Sequence, residues 1–474
     1  MSKAASGFLW SSVDRFSVQG VSFILSIIIA RIVSPSSYGL IVMIQVFMSI
    51  CQTFIDGGLA NALIQKQERS ETDFHTAFIF NLIVAIFFYF LLYSFSPIIA
   101  SFYDQPQLSL ITKVLGLNLI FSSLSIVQKT RLTIDLNFKT QAKAGLLAVL
   151  ISGIVGVSCA YSGMEVWSLV IQSMLNNILI SLFLAYFARW RPRFIFSMDS
   201  FSHLFNFGSK LLLTNLITSI YLNIYNLVIG KKYSSSSLAY YNRAFTLTQI
   251  PSTNIELVLS RIIYPLECKL QDNPKELKAA YIKYLHFSNF VVLPLLFMLI
   301  GLATPIVKVL LTDKWLPAVP YIVLYAINFT LYPWLDQSVQ LLNVVGKTGL
   351  NLKTQLYKRI ISFVILLATI PFGIKIICTG IVINTFIELL ISMHTDTKVL
   401  DISIWEQIRS QLDIFIISSL IAFVCYIICA VIENSYLQLI IGIFVGCVVF
   451  LILAKIIRMN EVTMIEKIID KYKR

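Results

Sequence analysis

Long apolar stretches follow one another along almost the whole of this 474-residue chain, and the polar connections between them are short. Clear examples run over 78–99, 287–306, 360–377, 414–432 and 437–457. Each is close to the roughly 20 apolar residues that a helix needs to cross the hydrocarbon core of a bilayer. Because lipid offers the backbone no hydrogen-bond partner, such stretches must be helices. The sequence therefore predicts an all-α, polytopic membrane protein with about fourteen transmembrane helices.

The composition argues against a large soluble domain. Hydrophobic residues make up 57% of the chain, charged residues 13%, and the mean hydropathy is +0.80. The longest polar connections, 268–284 and 393–409, hold fewer than about 20 residues each, too few for an independent domain. The four histidines and seven cysteines share no convincing metal-ligand spacing. We therefore predict that the protein is not an enzyme, with no catalytic residue, no metal site and no cofactor.

The distribution of Lys and Arg predicts the orientation of the chain. If the N-terminus is placed in the cytoplasm, the connections on that side hold 26 Lys and Arg, and the opposite connections hold five. Cytoplasmic loops of membrane proteins carry such an excess. The net charge of +13 is thus interpreted as membrane topology rather than nucleic-acid binding. We expect both termini in the cytoplasm and no folded unit on the outer side.

A short internal repeat divides the predicted helices into two sets. ARIVSPSSYG at 30–39 matches GKKYSSSSLA at 230–239, and at the same offset Asp56 corresponds to Glu256. Six helices in each repeat give both halves the same orientation, as in two-lobed membrane folds that bind a substrate between the lobes. The predicted domains are an N-lobe with helices 1–6 at 1–195, a C-lobe with helices 7–12 at 196–400, and helices 13 and 14 with a basic cytoplasmic tail at 401–474.

Ionisable and polar side chains inside the predicted spans are concentrated on the helices that begin each half. Such side chains are costly in lipid and face a bundle interior or a watery cavity. We expect them to line a central cleft with more bases than acids, since confined Arg and Lys bind phosphate or diphosphate. The candidates for substrate binding are Arg15, Lys210, Asn223, Tyr225, Arg243 and Arg261. The candidates for ion coupling are Asp56, Glu256 and Asp336.

Structural interpretations of these residues stay open. For Asp56, a structural cap at a helix end is favoured over ion coupling. Arg261 lies five positions after Glu256, which is a poor spacing for an ion pair on one helix face. Tyr225 fits ordinary packing as well as contact with a ligand.

Several motifs occur in the order found in one family of membrane proteins. They are ARIVSPSSYGL at 30–40, FIDGGLANALIQ at 54–65, IGKKYSSSSLAYYNRA at 229–244, YP at 264–265, LQD at 270–272, KW at 314–315 with Ala318, and GK at 346–347. The sequence resembles the polysaccharide flippases, in the O-antigen and exopolysaccharide branch of the multidrug/oligosaccharidyl-lipid/polysaccharide exporter superfamily. One departure is Ala239, where the family usually has glycine.

The resemblance implies a function in lipopolysaccharide or exopolysaccharide biosynthesis. Such flippases move undecaprenyl-diphosphate-linked oligosaccharide from the cytoplasmic to the outer leaflet of the bacterial cytoplasmic (inner) membrane. A cationic cleft would hold the diphosphate and sugars, and rocking of the lobes would alternate access. The expected partners are this lipid-linked oligosaccharide, the bilayer and other polysaccharide-assembly membrane proteins, with no nucleic acid.

Other functions are compatible with a multi-helix membrane protein. A drug or small-molecule exporter of the same superfamily is the nearest alternative, although a cation exporter should have a cleft dominated by acids. A membrane glycosyltransferase would need catalytic groups on a substantial extracytoplasmic loop. A scaffold within a polysaccharide-assembly complex is compatible as an added role.

Overall fold

This computed structural model describes residues 3–457, 459 and 461, with side chains from residue 17 onward. The described residues form helices and connections without strands, which confirms the all-α prediction. The helices are α1 (Lys3–Ile32), α2 (Pro35–Asp56), α3 (Leu59–Gln65), α4 (Glu71–Phe102), α5 (Gln107–Ile134), α6 (Phe138–Tyr161), α7 (Val166–Ala188), α8 (Met198–Lys232), α9 (Ser235–Cys268), α10 (Pro274–Gly301), α11 (Ala303–Leu311), α12 (Val319–Phe329), α13 (Tyr332–Val344), α14 (Thr348–Thr369), α15 (Ile374–Leu400), α16 (Ile404–Arg409), α17 (Leu412–Val431) and α18 (Ser435–Ile456). Most of the predicted basic tail lies outside the described residues.

Twelve helical segments among the described residues are long and apolar enough to cross a membrane, by length and composition. The predicted count of fourteen is therefore close but not confirmed. Two long helices fall outside the twelve: α1, whose described apolar part is Ser17–Ile32, and α9. The 34 residues of α9 span roughly 50 Å at about 1.5 Å per residue. Its length thus permits crossing, but its polar side chains lower its hydropathy.

Helix ends occur where the sequence supplies caps. α4 begins with a capping box, in which Ser70 Oγ accepts from the backbone N–H of Asp73 and the Asp73 carboxylate accepts from the backbone N–H of Ser70. Lys66 Nζ lies 2.8 Å from the same carboxylate. α2 ends at Asp56, followed by Gly57 in the left-handed conformation with φ of 50°. Glycine adopts this conformation at little cost, so it stops the helix there.

The chain divides into two compact units, Met1–Ala239 and Tyr240–Arg474, and the boundary falls inside α9. In the first unit, α4 packs against α5, and α6 packs against α1 and α7. In the second unit, α10 packs against α17, and α14 packs against α15. The division into lobes at 1–195, 196–400 and 401–474 stays a prediction.

Apolar side chains lie both inside the units and on their outer faces. In the second unit, Leu293 on α10 is buried in one cluster with Ile417 and Ile421 on α17. On α4, by contrast, Phe87 and Phe90 are each 60% exposed. In water, burying such rings would be favourable, so their exposure would be costly. In a bilayer, the surrounding hydrocarbon solvates them and no such cost arises. The exposed rings are therefore those expected of lipid-facing helices in a multi-pass membrane protein.

Candidate functional site

A polar cavity of about 550 Å³, called here the charged cavity, lies between α9 and α13 in the second unit. Its lining positions on α9 include 253, 256, 260 and 264, and those on α13 include 336, 340 and 343. Spacings of three and four place side chains on one face of a helix, so each helix presents a stripe to the cavity. The cavity brings together the predicted residues Glu256, Arg261 and Asp336.

The charged cavity holds two acids and one base from this set. Glu256 is only 8% exposed, and its Oε1 has no hydrogen-bond partner among the described residues. Glu256 and Asp336 are close enough to interact electrostatically. Asp336 and Arg261 are exposed. A buried carboxylate oxygen without a donor is able to accept a proton or a cation, so Glu256 is suited to binding either of them.

A second polar cavity, called here the neutral cavity, has a volume of about 540 Å³ and lies among α2, α5, α7 and α8 in the first unit. Among the described residues its lining includes no charged and no aromatic side chain. Half of its polar groups are amides and the other half are Ser or Thr hydroxyls. The amides belong to Gln45, Gln52, Asn118, Asn177, Asn215 and Asn223.

Hydrogen bonds between helices hold several side chains of the neutral cavity. Asn223 Nδ2 donates to Ser49 Oγ at 2.9 Å, which joins α8 to α2. Ser122 Oγ donates to Gln52 Oε1 at 2.8 Å, which joins α5 to α2. Gln52 Nε2 in turn donates to Asp56 Oδ1 at 3.0 Å. The predicted residue Asn223 therefore lines this cavity, and Asp56 is hydrogen-bonded to the lining residue Gln52.

The remaining predicted residues occupy other positions. Lys210 is exposed and Tyr225 is half-buried on α8, and neither lines the neutral cavity. Arg243 on α9 is 7% exposed, and its guanidinium lies 5.2 Å from the ring centroid of Trp315. This distance is that of a cation–π contact. The side chain of Arg15 lies outside the described residues.

Sequence reasoning missed two fully buried carboxylates in the second unit. Asp396 on α15 accepts hydrogen bonds from Tyr281 Oη at 3.0 Å and from Ser338 Oγ. Glu267, near the end of α9, accepts from Gln340 Nε2 at 2.7 Å. Both acids lie close to helix ends, where carboxylates are usually exposed. The residues around Asp396, HTDTK at 394–398, are polar, so the local sequence gave no signal of a buried carboxylate.

Lys358 also has a different position from the one expected. It is one of the 26 Lys and Arg that the sequence places in cytoplasmic connections, whereas it lies within α14 and is buried. Its Nζ donates to Ser392 Oγ on α15 at 2.6 Å. This residue therefore contributes to helix packing, and it is the one buried member of the cytoplasmic Lys and Arg among those that the structure describes.

Comparison with known proteins decides the family. A family model described as polysaccharide biosynthesis protein matches residues 28–320, more than half of the chain. The chain belongs to this family. It is 22% identical over 347 residues to the teichuronic acid biosynthesis protein TuaB of Bacillus subtilis strain 168, covering 73% of this chain and 72% of that protein. It is 23% identical over 362 residues to the lipopolysaccharide biosynthesis protein WzxC of Escherichia coli strain K12, covering 75% of this chain and 73% of that protein.

The fold of this polysaccharide biosynthesis family member is also found among solved structures. The lipid II flippase MurJ, in its inward closed conformation, superposes with a TM-score of 0.78 at 15% sequence identity. The alignment covers 96% of this chain and 100% of the MurJ chain. The sequence comparison confirms the resemblance to polysaccharide export proteins, and the structural similarity shows a shared fold.

Proposed function

We propose that this protein is a flippase that moves undecaprenyl-diphosphate-linked oligosaccharide from the cytoplasmic to the outer leaflet of a bacterial cytoplasmic membrane. The observation that carries the proposal is the family match over 28–320 in a polytopic helical chain. The names of TuaB and WzxC place those relatives in the synthesis of cell-surface glycans. The MurJ-like fold supports the same class of transport.

The chemistry of the substrate explains why polar cavities are needed. Its hydrocarbon tail is soluble in the bilayer, but its diphosphate and sugars are not. Polar groups within the helices therefore supply an alternative to water while the head group crosses. We assign the diphosphate to cations from the set Arg15, Lys210, Arg243 and Arg261. Asn223 and Tyr225 would contact the sugars.

Energy coupling is assigned to carboxylates. Glu256 and Asp336 of the charged cavity would exchange a proton or a small cation as access alternates, and Asp56 is the corresponding candidate in the first unit. Alternating access then follows from two states of the protein that differ in which side reaches the substrate. In this proposal the protein is a transporter without cofactor or catalytic residue. Both termini are cytoplasmic. Other polysaccharide-assembly membrane proteins supply and receive the glycan.

One observation favours a second candidate function. The charged cavity holds two acids and one arginine among its charged lining residues. Such a balance suits a cationic small molecule, which is the substrate class of a drug exporter. The sequence relatives favour the flippase, because TuaB and WzxC are named for glycan synthesis.

The test uses cells that lack this protein but retain the rest of the glycan pathway. A probe confined to the periplasm reports whether the sugars of the lipid-linked oligosaccharide face outward. We expect the oligosaccharide to accumulate facing the cytoplasm and to be restored outward by the wild-type protein. Arg261→Gln should restore it poorly, whereas the matched control Arg409→Gln, at the end of α16, should restore it fully.

Two results would contradict the proposal. Normal outward exposure in the deleted cells would exclude a flippase acting on this lipid. Increased sensitivity of the same cells to cationic drugs, with unchanged glycan exposure, would favour the exporter. Membrane levels of each variant are measured by immunoblot so that loss of protein is separated from loss of transport.

A further inference from the structure

The neutral cavity lies at the middle of four helices. Gln45 is near the centre of α2, Asn118 near that of α5, Asn177 near that of α7 and Asn215 near that of α8. In a membrane-spanning chain these positions are close to the bilayer midplane, where unsatisfied polar groups are most unfavourable. At this depth, twelve of the fifteen lining residues carry polar side chains.

The lining has the hydrogen-bonding capacity of a ligand site. Asn118 is 7% exposed and its Nδ2 donates to Ser173 Oγ at 3.0 Å, but its Oδ1 has no partner among the described residues. A buried amide oxygen without a donor represents a free-energy cost that an incoming hydroxyl would remove. The volume of about 540 Å³ lies within the range of small-molecule sites.

The kind of ligand follows from the kind of lining group. Amides and hydroxyls both donate and accept hydrogen bonds, and so do the hydroxyls of a sugar. A diphosphate only accepts and is bound most strongly by charged donors. The described lining has no charged side chain, and it has no aromatic ring on which a sugar face would stack. Hydrogen bonding to uncharged hydroxyl groups is therefore the recognition chemistry available.

We propose that the neutral cavity binds uncharged sugar residues of the transported glycan through their hydroxyl groups, separately from the groups that bind the diphosphate. The proposal rests on the flippase function. It implies that the first unit discriminates between glycans by the arrangement of their hydroxyls, whereas the diphosphate common to all such lipids is bound by cations elsewhere in the protein.

Equilibrium dialysis of the full-length protein in lipid nanodiscs tests the proposal. Two probes are used. The first is the oligosaccharide that mild acid releases from the lipid-linked pool of the host, labelled at its reducing end. The second is inorganic pyrophosphate. We expect Asn177→Leu to weaken oligosaccharide binding by about tenfold, since it removes a hydrogen-bonding group. Pyrophosphate binding should be unchanged. Asn206→Leu, at an exposed position of α8 outside the cavity, is the matched control.

A second variant keeps the test independent of folding. Thr218→Val removes a lining hydroxyl with almost no change of shape, and it should weaken oligosaccharide binding by about threefold to tenfold. The sugar site would be overturned if neither variant changed oligosaccharide binding. It would also be overturned if the wild-type protein bound no oligosaccharide yet restored outward exposure in the periplasmic-probe assay. Either result would leave the flippase function intact. Loss of pyrophosphate binding in either variant would assign the cavity to the diphosphate instead.

Discussion

The strongest stability prediction concerns Asp396, whose carboxylate connects three helices of the second unit. It lies on α15 and is fully buried, and it accepts hydrogen bonds from Tyr281 on α10 and from Ser338 on α13. Asp396→Ala removes the common acceptor. The hydroxyl of Tyr281, also on a fully buried residue, and the hydroxyl of Ser338 then lose their partner in a site closed to water.

The magnitude follows from the groups left behind. A buried polar group without its partner costs about 1–3 kcal/mol, so two hydroxyls give about 2–6 kcal/mol. One oxygen of Asp396 has no hydrogen-bond partner among the described residues, so the substitution also removes part of a desolvation cost. We therefore expect the free energy of unfolding to fall by about 2–4 kcal/mol.

Unfolding by sodium dodecyl sulfate in mixed micelles, followed by tryptophan fluorescence, measures this change. Asp272→Ala, at an exposed position between α9 and α10, is the matched control and should stay within about 0.5 kcal/mol of the wild type. Asp396→Asn should fall between the wild type and Asp396→Ala, because its amide oxygen can accept from both hydroxyls but lacks the charge that strengthens these bonds. An Asp396→Ala protein as stable as the control would refute the argument that this carboxylate ties the helices together.

Two further predictions use the same unfolding measurement. Gly301→Ala places a Cβ 2.6 Å from the backbone oxygen of Ala422, where real Cβ atoms stay beyond 3.0 Å. α10 and α17 must then separate, and we expect the free energy of unfolding to fall by about 1–3 kcal/mol. Gly349→Ala, where a Cβ meets no atom within 4 Å, is the control and should be neutral or stabilising. Equal effects at both positions would contradict this. Lys66→Met leaves the fully buried Asp73 carboxylate without its cation. We expect the free energy of unfolding to fall by about 3 kcal/mol. An unchanged unfolding midpoint would show that the capping hydrogen bonds alone satisfy Asp73.

The fold class could be predicted from the sequence because lipid leaves the backbone so few options. An apolar stretch of about 20 residues has to pair its own amide and carbonyl groups, and only a helix does so within one segment. The uncertainty in the number of spans comes from α1 and α9, the two long helices outside the twelve apolar segments. In α9, polar side chains lower the hydropathy of a helix that is long enough to cross. The ordered motifs also identified the family, which the match over 28–320 confirms.

The grouping of polar residues depended on which helices pack together. Gln52 and Asn223 stand out in the sequence as polar positions within spans, but only packing brings Asn118 from α5 and Asn177 from α7 to the same cavity. Helix order along the chain does not give these neighbours, since each helix has several faces on which another can pack.

The sequence determined that this protein is a helical membrane protein of the polysaccharide biosynthesis family, and it marked where polar groups enter the spans. Only the tertiary structure decided the environment of each group. Arg243 contacts the ring of Trp315 and is buried, whereas Glu256 lies at a cavity with an unpaired oxygen, although both belong to α9. The physical reason is that the free energy of a charge depends on the side chains that cover it, and those come from helices distant in the sequence.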